Sequence, residues 1–170
     1  FRGPAHEDIP SHLSSFDGET RTTQVIVPGY RCPSQALISA CIHQIEERFI
    51  YVTSANQSHH RTGRAEEPAH WKAAPLAADF DHVDELFVMT HRDEERAREL
   101  HPDHLPMSTS ILSFHRRVAD RRATVRLERL GSMSANRVRE VVKGHGFELE
   151  VAPTALRRLP CRDYDSTRLN

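Results

Sequence analysis

The chain has almost no lysine, little cysteine and no long apolar run. Its only lysines are Lys72 and Lys143, so nearly all of its basic residues are arginine. No apolar stretch approaches the length of a membrane span, and no signal-peptide pattern is present. The three cysteines have no C-x-x-C spacing, which is typical of reduced thiols. These absences predict a cytoplasmic location and no membrane partner.

Several familiar catalytic and nucleotide-binding motifs are also missing. The sequence contains no P-loop, no G-x-G-x-x-G, no G-x-S-x-G elbow and no H-E-x-x-H. The formal net charge of −1 excludes a global attraction to nucleic acid. Arginines nevertheless suit phosphate recognition, so RNA binding stays as an alternative. The arginines considered for it are Arg116, Arg117, Arg121, Arg122 and Arg126.

The twelve histidines include two close pairs, His59-His60 and His101-x-x-His104. Imidazole is a common zinc ligand, and zinc sites in proteins need three or four ligands. Neither pair has a third ligand at a diagnostic spacing. We therefore expect no metal site, and a metal-dependent enzyme built on these histidines stays as a third hypothesis.

Hydrophobic periodicity predicts strands alternating with helices over most of the chain. Residues 1–22 read as loop with one helical turn near 9–13, and residues 153–170 read as an arginine-rich tail, surface-bound or mobile. We expect strands at 22–27, 49–53, 85–90, 108–114 and 123–128 and an edge strand at 147–151. The expected helices cover 33–45, a segment after Pro68, 93–100, and a segment capped by Ser134. This order predicts an α/β fold in which residues 1–152 form a single domain, a twisted mixed β-sheet with flanking helices.

One predicted strand stops abruptly in small polar residues. The apolar run 49–53 is followed by Ser54-Ala55-Asn56-Gln57-Ser58, and it closes a strand–helix–strand unit in which a parallel crossover is expected. Hydroxyls and a carboxamide at a strand end can bind phosphate oxygens, ribose or a carboxylate. The alternative is a turn in which the Ser and Asn side chains satisfy their own backbone.

Two later segments repeat this polar character. Ser108-Thr109-Ser110 enters a predicted strand, and Arg129-Leu130-Gly131-Ser132 precedes the helix capped by Ser134. A serine hydroxyl and a guanidinium can both bind a nucleotide. The ordinary alternative is β-propensity for the first segment and a surface arginine in the second.

These three segments, in this order, resemble the YrdC-like family, the threonylcarbamoyl-adenylate synthases, over residues 25–142. The resemblance implies a nucleotidyltransferase that condenses ATP, bicarbonate and L-threonine into threonylcarbamoyl-AMP, with release of pyrophosphate, for a tRNA modification pathway. It implies ATP with Mg²⁺ as the substrate complex. The nucleotide- and substrate-binding residues that it implies are Thr53, Ser54, Asn56, Ser108 and Arg129, and no catalytic residue is assigned.

The sequence departs from the family pattern at its N-terminal side. The family's lysine-x-arginine element has no counterpart, because no lysine precedes Lys72. The glycine that normally follows the last serine of the signature is replaced by His59. Together with a start at Phe1 rather than methionine, this leads us to expect a synthase without its N-terminal part. The alternative is a divergent, non-catalytic nucleotide- or RNA-binding module.

Overall fold

The computed structural model describes residues 1–26, 33–45, 50–57, 63, 67–100, 102, 106–115 and 123–164. It confirms a mixed α/β structure with a six-stranded mixed sheet. The strand order is β2-β3-β1-β4-β5-β6. The strands are β1 (Arg2–Pro4), β2 (Ser14–Asp17), β3 (Thr20–Gln24), β4 (Ile111–Ser113), β5 (Thr124–Arg129) and β6 (Glu148–Val151). The α-helices of the described residues are α1 (Pro33–Ile45), α2 (Ala73–Asp79), α3 (Glu94–Glu99) and α4 (Ala135–Gly144).

Two compact units make up the chain. Unit 1 consists of Phe1–Thr53 and Ser113–His115, and unit 2 consists of Ser54–Leu112 and Arg116–Asn170. None of the helices in the described part of the chain is long and apolar enough to cross a bilayer.

Unit 1 begins with strands where the sequence predicted loop. β2 and β3 form an antiparallel hairpin whose turn contains Gly18 at φ +60°, a conformation that favours glycine. β1 pairs with β3 in antiparallel orientation. The prediction of loop over residues 1–22 is therefore wrong, apart from a single 3₁₀ turn at Ser11–Leu13. These strands are polar and are held by their ladder and by hydroxyls: Thr22 Oγ1 donates to the Ser15 carbonyl at 3.0 Å. Such strands carry no hydrophobic alternation.

The helix predicted at 33–45 is confirmed as α1, but the strand predicted to follow it is not found. Residues 50–53 are not in a strand, and the side chains of Tyr51 and Val52 are 59% and 57% exposed. The expected parallel strand–helix–strand unit is therefore wrong, since β3 makes antiparallel pairs instead. β-propensity reflects packing against neighbours, so an apolar run without such neighbours does not form a strand.

The hydrophobic core lies in unit 2, around β5, α4 and β6. β5 and β6 are parallel, from Thr124 opposite Glu148 to Leu127 opposite Val151. The alternation predicted at 123–128 is confirmed, because Val125 and Leu127 are 1% and 0% exposed. The helix predicted after Ser134 is also confirmed, and the Ser134 Oγ accepts a hydrogen bond from the Arg137 N–H. From α4 the buried side chains are Val138 and Val142.

The remaining elements of unit 2 follow the sequence only in part. The helix expected at 93–100 is α3, whose first turn is capped by the Asp93 carboxylate. The helix expected after Pro68 is α2, which begins at Ala73. The strand predicted at 85–90 is wrong: the structure has no strand there, and Phe87 is 84% exposed. The strand predicted at 108–114 shortens to β4.

Replacement of Leu127 by alanine tests the placement of the core. We expect Leu127→Ala to lower the free energy of unfolding by about 2–5 kcal/mol, because it leaves a cavity beneath α4. Leu156→Ala is the matched control, since Leu156 is 72% exposed, and its effect should stay within about 0.5 kcal/mol. Urea denaturation of both variants measures the difference. Equal losses in the two would show that Leu127 does not belong to the core.

Candidate functional site

The second and third polar segments of the sequence contact each other directly. The Ser132 N–H donates to the Ser108 carbonyl at 3.0 Å. The Gly131 N–H donates to Ser110 Oγ at 3.0 Å, and Arg129 Nε donates to the Thr109 carbonyl at 3.0 Å. We call this area, formed by residues 108–110 and 129–132, the Ser/Arg surface.

Gly131 makes this close contact possible. A Cβ atom at Gly131 would lie 2.0 Å from the Ser108 carbonyl oxygen and 2.4 Å from the Thr109 carbonyl carbon. Any side chain would have to displace this backbone, so the position requires glycine. The neighbouring Leu130 is buried, and its carbonyl accepts from the Leu159 N–H at 3.3 Å. The end of β5 is thus fixed on two sides.

The Ser/Arg surface presents polar groups of the kind that bind anions. Ser108, Ser110 and Arg129 are all partly exposed. The bond from Nε to a carbonyl orients the Arg129 guanidinium while it keeps its positive charge. Hydroxyls and an oriented guanidinium can hold phosphate or ribose oxygens. None of these three side chains is positioned as an activated nucleophile or as a general base.

The first polar segment forms a loop that packs on a histidine. We call residues 54–57 the signature loop. Asn56 is buried, and its backbone N–H donates to the Ser54 carbonyl at 2.9 Å. The Ala55 carbonyl accepts from the His70 N–H at 2.6 Å, and Gln57 Nε2 donates to the Asp79 carbonyl at 3.2 Å. The loop therefore depends on α2 and on the segment before it.

The structure brings together only some of the residues that the resemblance implies. Ser108 and Arg129 lie in one surface, because Arg129 bonds to the Thr109 carbonyl and Gly131 packs against Ser108. Ser54 and Asn56 lie in the signature loop, next to His70. Thr53 is exposed and belongs to unit 1. The role of all five residues in ligand binding stays a prediction.

Sequence analysis missed a buried network behind the signature loop. The His70 side chain is 3% exposed, and its Nε2 lies 2.8 Å from Asp79 Oδ2. Its Nδ1 lies 3.1 Å from the Tyr164 hydroxyl. That hydroxyl also accepts from the backbone N–H groups of Trp71 and Lys72 at 3.1 and 3.3 Å. Tyr164 lies 94 residues from His70, so no local spacing could have indicated this pair.

An open depression of about 250 Å³ lies beside this network. Its polar side chains are already engaged within unit 2. Lys72 Nζ lies 2.7 Å from Glu95 Oε1, and Glu94 Oε1 accepts from the Ala73 N–H at 2.7 Å. The Trp71 ring lies near two cations, at 4.8 Å from Lys72 Nζ and 5.0 Å from the Arg98 guanidinium carbon. These contacts stabilise the wall of the depression and do not indicate a particular ligand.

Unit 1 contains a second network that the sequence did not indicate. His115 Nε2 lies 2.6 Å from Asp17 Oδ2, and its Nδ1 lies 3.0 Å from Ser113 Oγ. The residue types are those of a serine hydrolase triad. Ser113, however, is 0% exposed and pairs with Arg2 in the sheet. A substrate cannot reach this hydroxyl, so the network holds β2 to β4 and does not supply a nucleophile.

Most residues of the metal hypothesis and of the RNA-binding hypothesis lie outside the part of the chain that the structure describes. His59, His60, His101 and His104 lie outside the described residues, as do Arg116, Arg117, Arg121 and Arg122. Arg126 is described, and its Nε lies 3.4 Å from Glu150 Oε1. That pairing gives no specific support for an RNA contact.

No family model, curated protein or solved structure matches the chain. Functional inference therefore depends on the contacts of the Ser/Arg surface and of the signature loop.

Replacement of Gly131 tests the contact that builds the Ser/Arg surface. We expect Gly131→Ala to lower the free energy of unfolding by about 2 kcal/mol or more, because the new methyl group overlaps the backbone of residues 108–110. Gly144→Ala is the matched control. Gly144 is helical and has nothing within 4 Å of an added Cβ, so this change should raise stability by about 0.4–1 kcal/mol. Denaturant unfolding measures both, and two variants of equal stability would contradict the close approach.

Proposed function

We propose that the chain is a YrdC-like domain that binds a nucleotide at the Ser/Arg surface and is related to threonylcarbamoyl-AMP synthesis. The observation that carries the proposal is the close packing of Gly131 against Ser108–Ser110. It joins two segments that were identified from the sequence by their residue types and order alone.

The chemistry of this surface supports an anionic, ribose-containing ligand. The Arg129 guanidinium supplies a positive charge in a fixed orientation, which suits a phosphate group. The hydroxyls of Ser108 and Ser110 both donate and accept hydrogen bonds, which suits sugar and phosphate oxygens. A ligand held in this way gains orientation without the burial of an unpaired charge.

The signature loop supplies a different kind of group. Asn56 carries a carboxamide, and Ser54 carries an exposed hydroxyl. Such groups recognise polar ligands such as an amino acid or a carbamoyl group through hydrogen bonds rather than charge. In the proposed reaction these residues bind L-threonine or its carbamoylated product.

The proposed reaction consumes ATP, bicarbonate and L-threonine. ATP enters as its Mg²⁺ complex, in which the ion neutralises phosphate charge during pyrophosphate release. The chain's own residues would bind the nucleotide and orient it. Nucleotide binding is the first step of the proposal, and catalysis is the second.

Arg129→Ala tests the binding step. We expect this change to weaken the binding of ATP with Mg²⁺ by about 10- to 100-fold, because a charged hydrogen bond to phosphate is lost. The matched control is Arg157→Ala, at an exposed arginine, which should leave the affinity unchanged. Isothermal titration calorimetry gives both values, with unfolding curves to verify that each variant is folded. Equal affinities of wild type and Arg129→Ala would exclude the Ser/Arg surface as the site.

Pyrophosphate release tests the catalytic step. The chain is incubated with ATP, Mg²⁺, bicarbonate and L-threonine, and each component is omitted in turn. We expect release only when all four are present. ATP binding without release would identify a non-catalytic nucleotide-binding module. Absence of both binding and release would overturn the proposal.

A further inference from the structure

The segment Arg162–Tyr164, which we call the C-terminal anchor, is bonded to residues 67–72. Arg162 Nε donates to the Pro68 carbonyl at 2.7 Å, and its Nη2 donates to Glu67 Oε2 at 2.7 Å. In return, Trp71 Nε1 donates to the Arg162 carbonyl at 3.0 Å. The Tyr164 ring packs edge-on against Trp71, with centroids 5.3 Å apart. The anchor therefore belongs to unit 2, and it lies within the segment 153–170 that the sequence predicted to be surface-bound or mobile.

The hydrogen bonds of the Tyr164 hydroxyl match one tautomer of a neutral His70. The phenolic oxygen accepts from two backbone N–H groups, those of Trp71 and Lys72. Its own hydrogen is then directed to His70 Nδ1, 3.1 Å away. In the neutral imidazole, Nδ1 accepts that hydrogen and the Nε2–H donates to Asp79 Oδ2. Tyr164 thus favours this tautomer and orients the ring of His70.

His70 and Asp79 in turn hold the signature loop on both sides of Asn56. The residue before it, Ala55, accepts a hydrogen bond from the backbone N–H of His70 at 2.6 Å. The residue after it, Gln57, donates to the Asp79 carbonyl at 3.2 Å. Both contacts are made by the backbones of His70 and Asp79. The side-chain pair acts on the loop by holding these two backbone segments, whose displacement would move both neighbours of Asn56.

We propose that Tyr164, acting through His70, is a positioning residue for the signature loop. The phenolic O–H of the C-terminal anchor determines the conformation of the loop that carries the buried Asn56 and the exposed Ser54. The ligand part of this inference rests on the proposed function, whereas the loop part does not. Tyr164 itself does not contact the ligand in this scheme.

Tyr164→Phe removes the hydroxyl and retains the ring that packs on Trp71 and His70. We expect amide hydrogen exchange in a peptide that covers residues 54–57, measured without ligand, to become about tenfold faster or more, because His70 loses the partner that orients it. Tyr51→Phe is the matched control, since Tyr51 is 59% exposed, and it should leave this exchange unchanged. Unchanged exchange in Tyr164→Phe would overturn the inference.

The second readout is the affinity for L-threonine in the presence of ATP and Mg²⁺, measured in a double-mutant cycle. Tyr164→Phe should weaken binding about three- to tenfold in the wild-type background, the loss expected for a hydrogen bond. In the Asn56→Ala background it should change affinity by less than about twofold, because the group that it positions is gone. If Tyr164→Phe lowers the affinity by the same factor in both backgrounds, Tyr164 does not act through Asn56.

The outcomes separate this inference from the proposed function. Faster exchange in Tyr164→Phe, in a chain whose wild type binds no nucleotide, would support the positioning of the loop and overturn the proposed function. If Tyr164→Phe does not fold, His70→Gln gives the same test. The glutamine amide can still reach Asp79 from the Nε2 position but cannot accept from Tyr164. The same acceleration at residues 54–57 is expected, and its absence would contradict the inference.

Discussion

The backbone of Gly131 lies so close to Ser108 and Thr109 that no side chain fits between them, and the candidate site depends on this contact. Gly131 follows β5, whose Val125 and Leu127 side chains form the centre of the core. The same few residues lead into α4, whose first turn is capped by Ser134. The buried core therefore fixes the position of the 129–132 segment, and the close approach transmits that position to Ser108. A loop placed in this way needs little reordering when a ligand binds.

The elements that the sequence predicted well are those in which local pattern and burial agree. β5 alternates apolar and polar residues and has one buried face, and α4 has both a capping serine and a buried stripe. The elements that it missed are of two kinds. β2 and β3 are polar strands that depend on partner strands and hydroxyl contacts rather than on hydrophobic alternation. The runs at 50–53 and 85–90 have strong β-propensity but remain exposed. In both groups, a segment forms a strand only where a neighbouring strand pairs with it. The local sequence of the segment does not encode whether such a neighbour is present.

The same distinction applies to the candidate site, where some residues could be predicted from the sequence and others could not. Ser108 and Arg129 were identified by residue type and order, and the structure adds the contact between their segments. The histidine networks could not be predicted. His70 meets a tyrosine 94 residues away, and His115 meets an aspartate 98 residues away. Hydrogen bonds of this range leave no periodic or spaced pattern in the sequence. They follow from the requirement that buried polar groups find partners, which acts only once the chain is folded.

Accessibility then distinguishes the two networks in function. The network of Asp17, His115 and Ser113 ends in a hydroxyl with no exposed surface, so it can connect β2 to β4 but cannot reach a substrate. The network of Tyr164, His70 and Asp79 ends in a loop whose Ser54 is exposed. The second arrangement can therefore order an accessible loop, whereas the first ends at a buried group. Binding and catalysis also make different demands on such a site. In the proposed function, hydroxyls and one arginine orient a nucleotide, whereas stabilising the charge that develops at a reacting phosphate requires further preorganised cations. Within the proposed function, nucleotide binding therefore makes the smaller demand on the described residues, and catalysis requires cations in addition to Arg129.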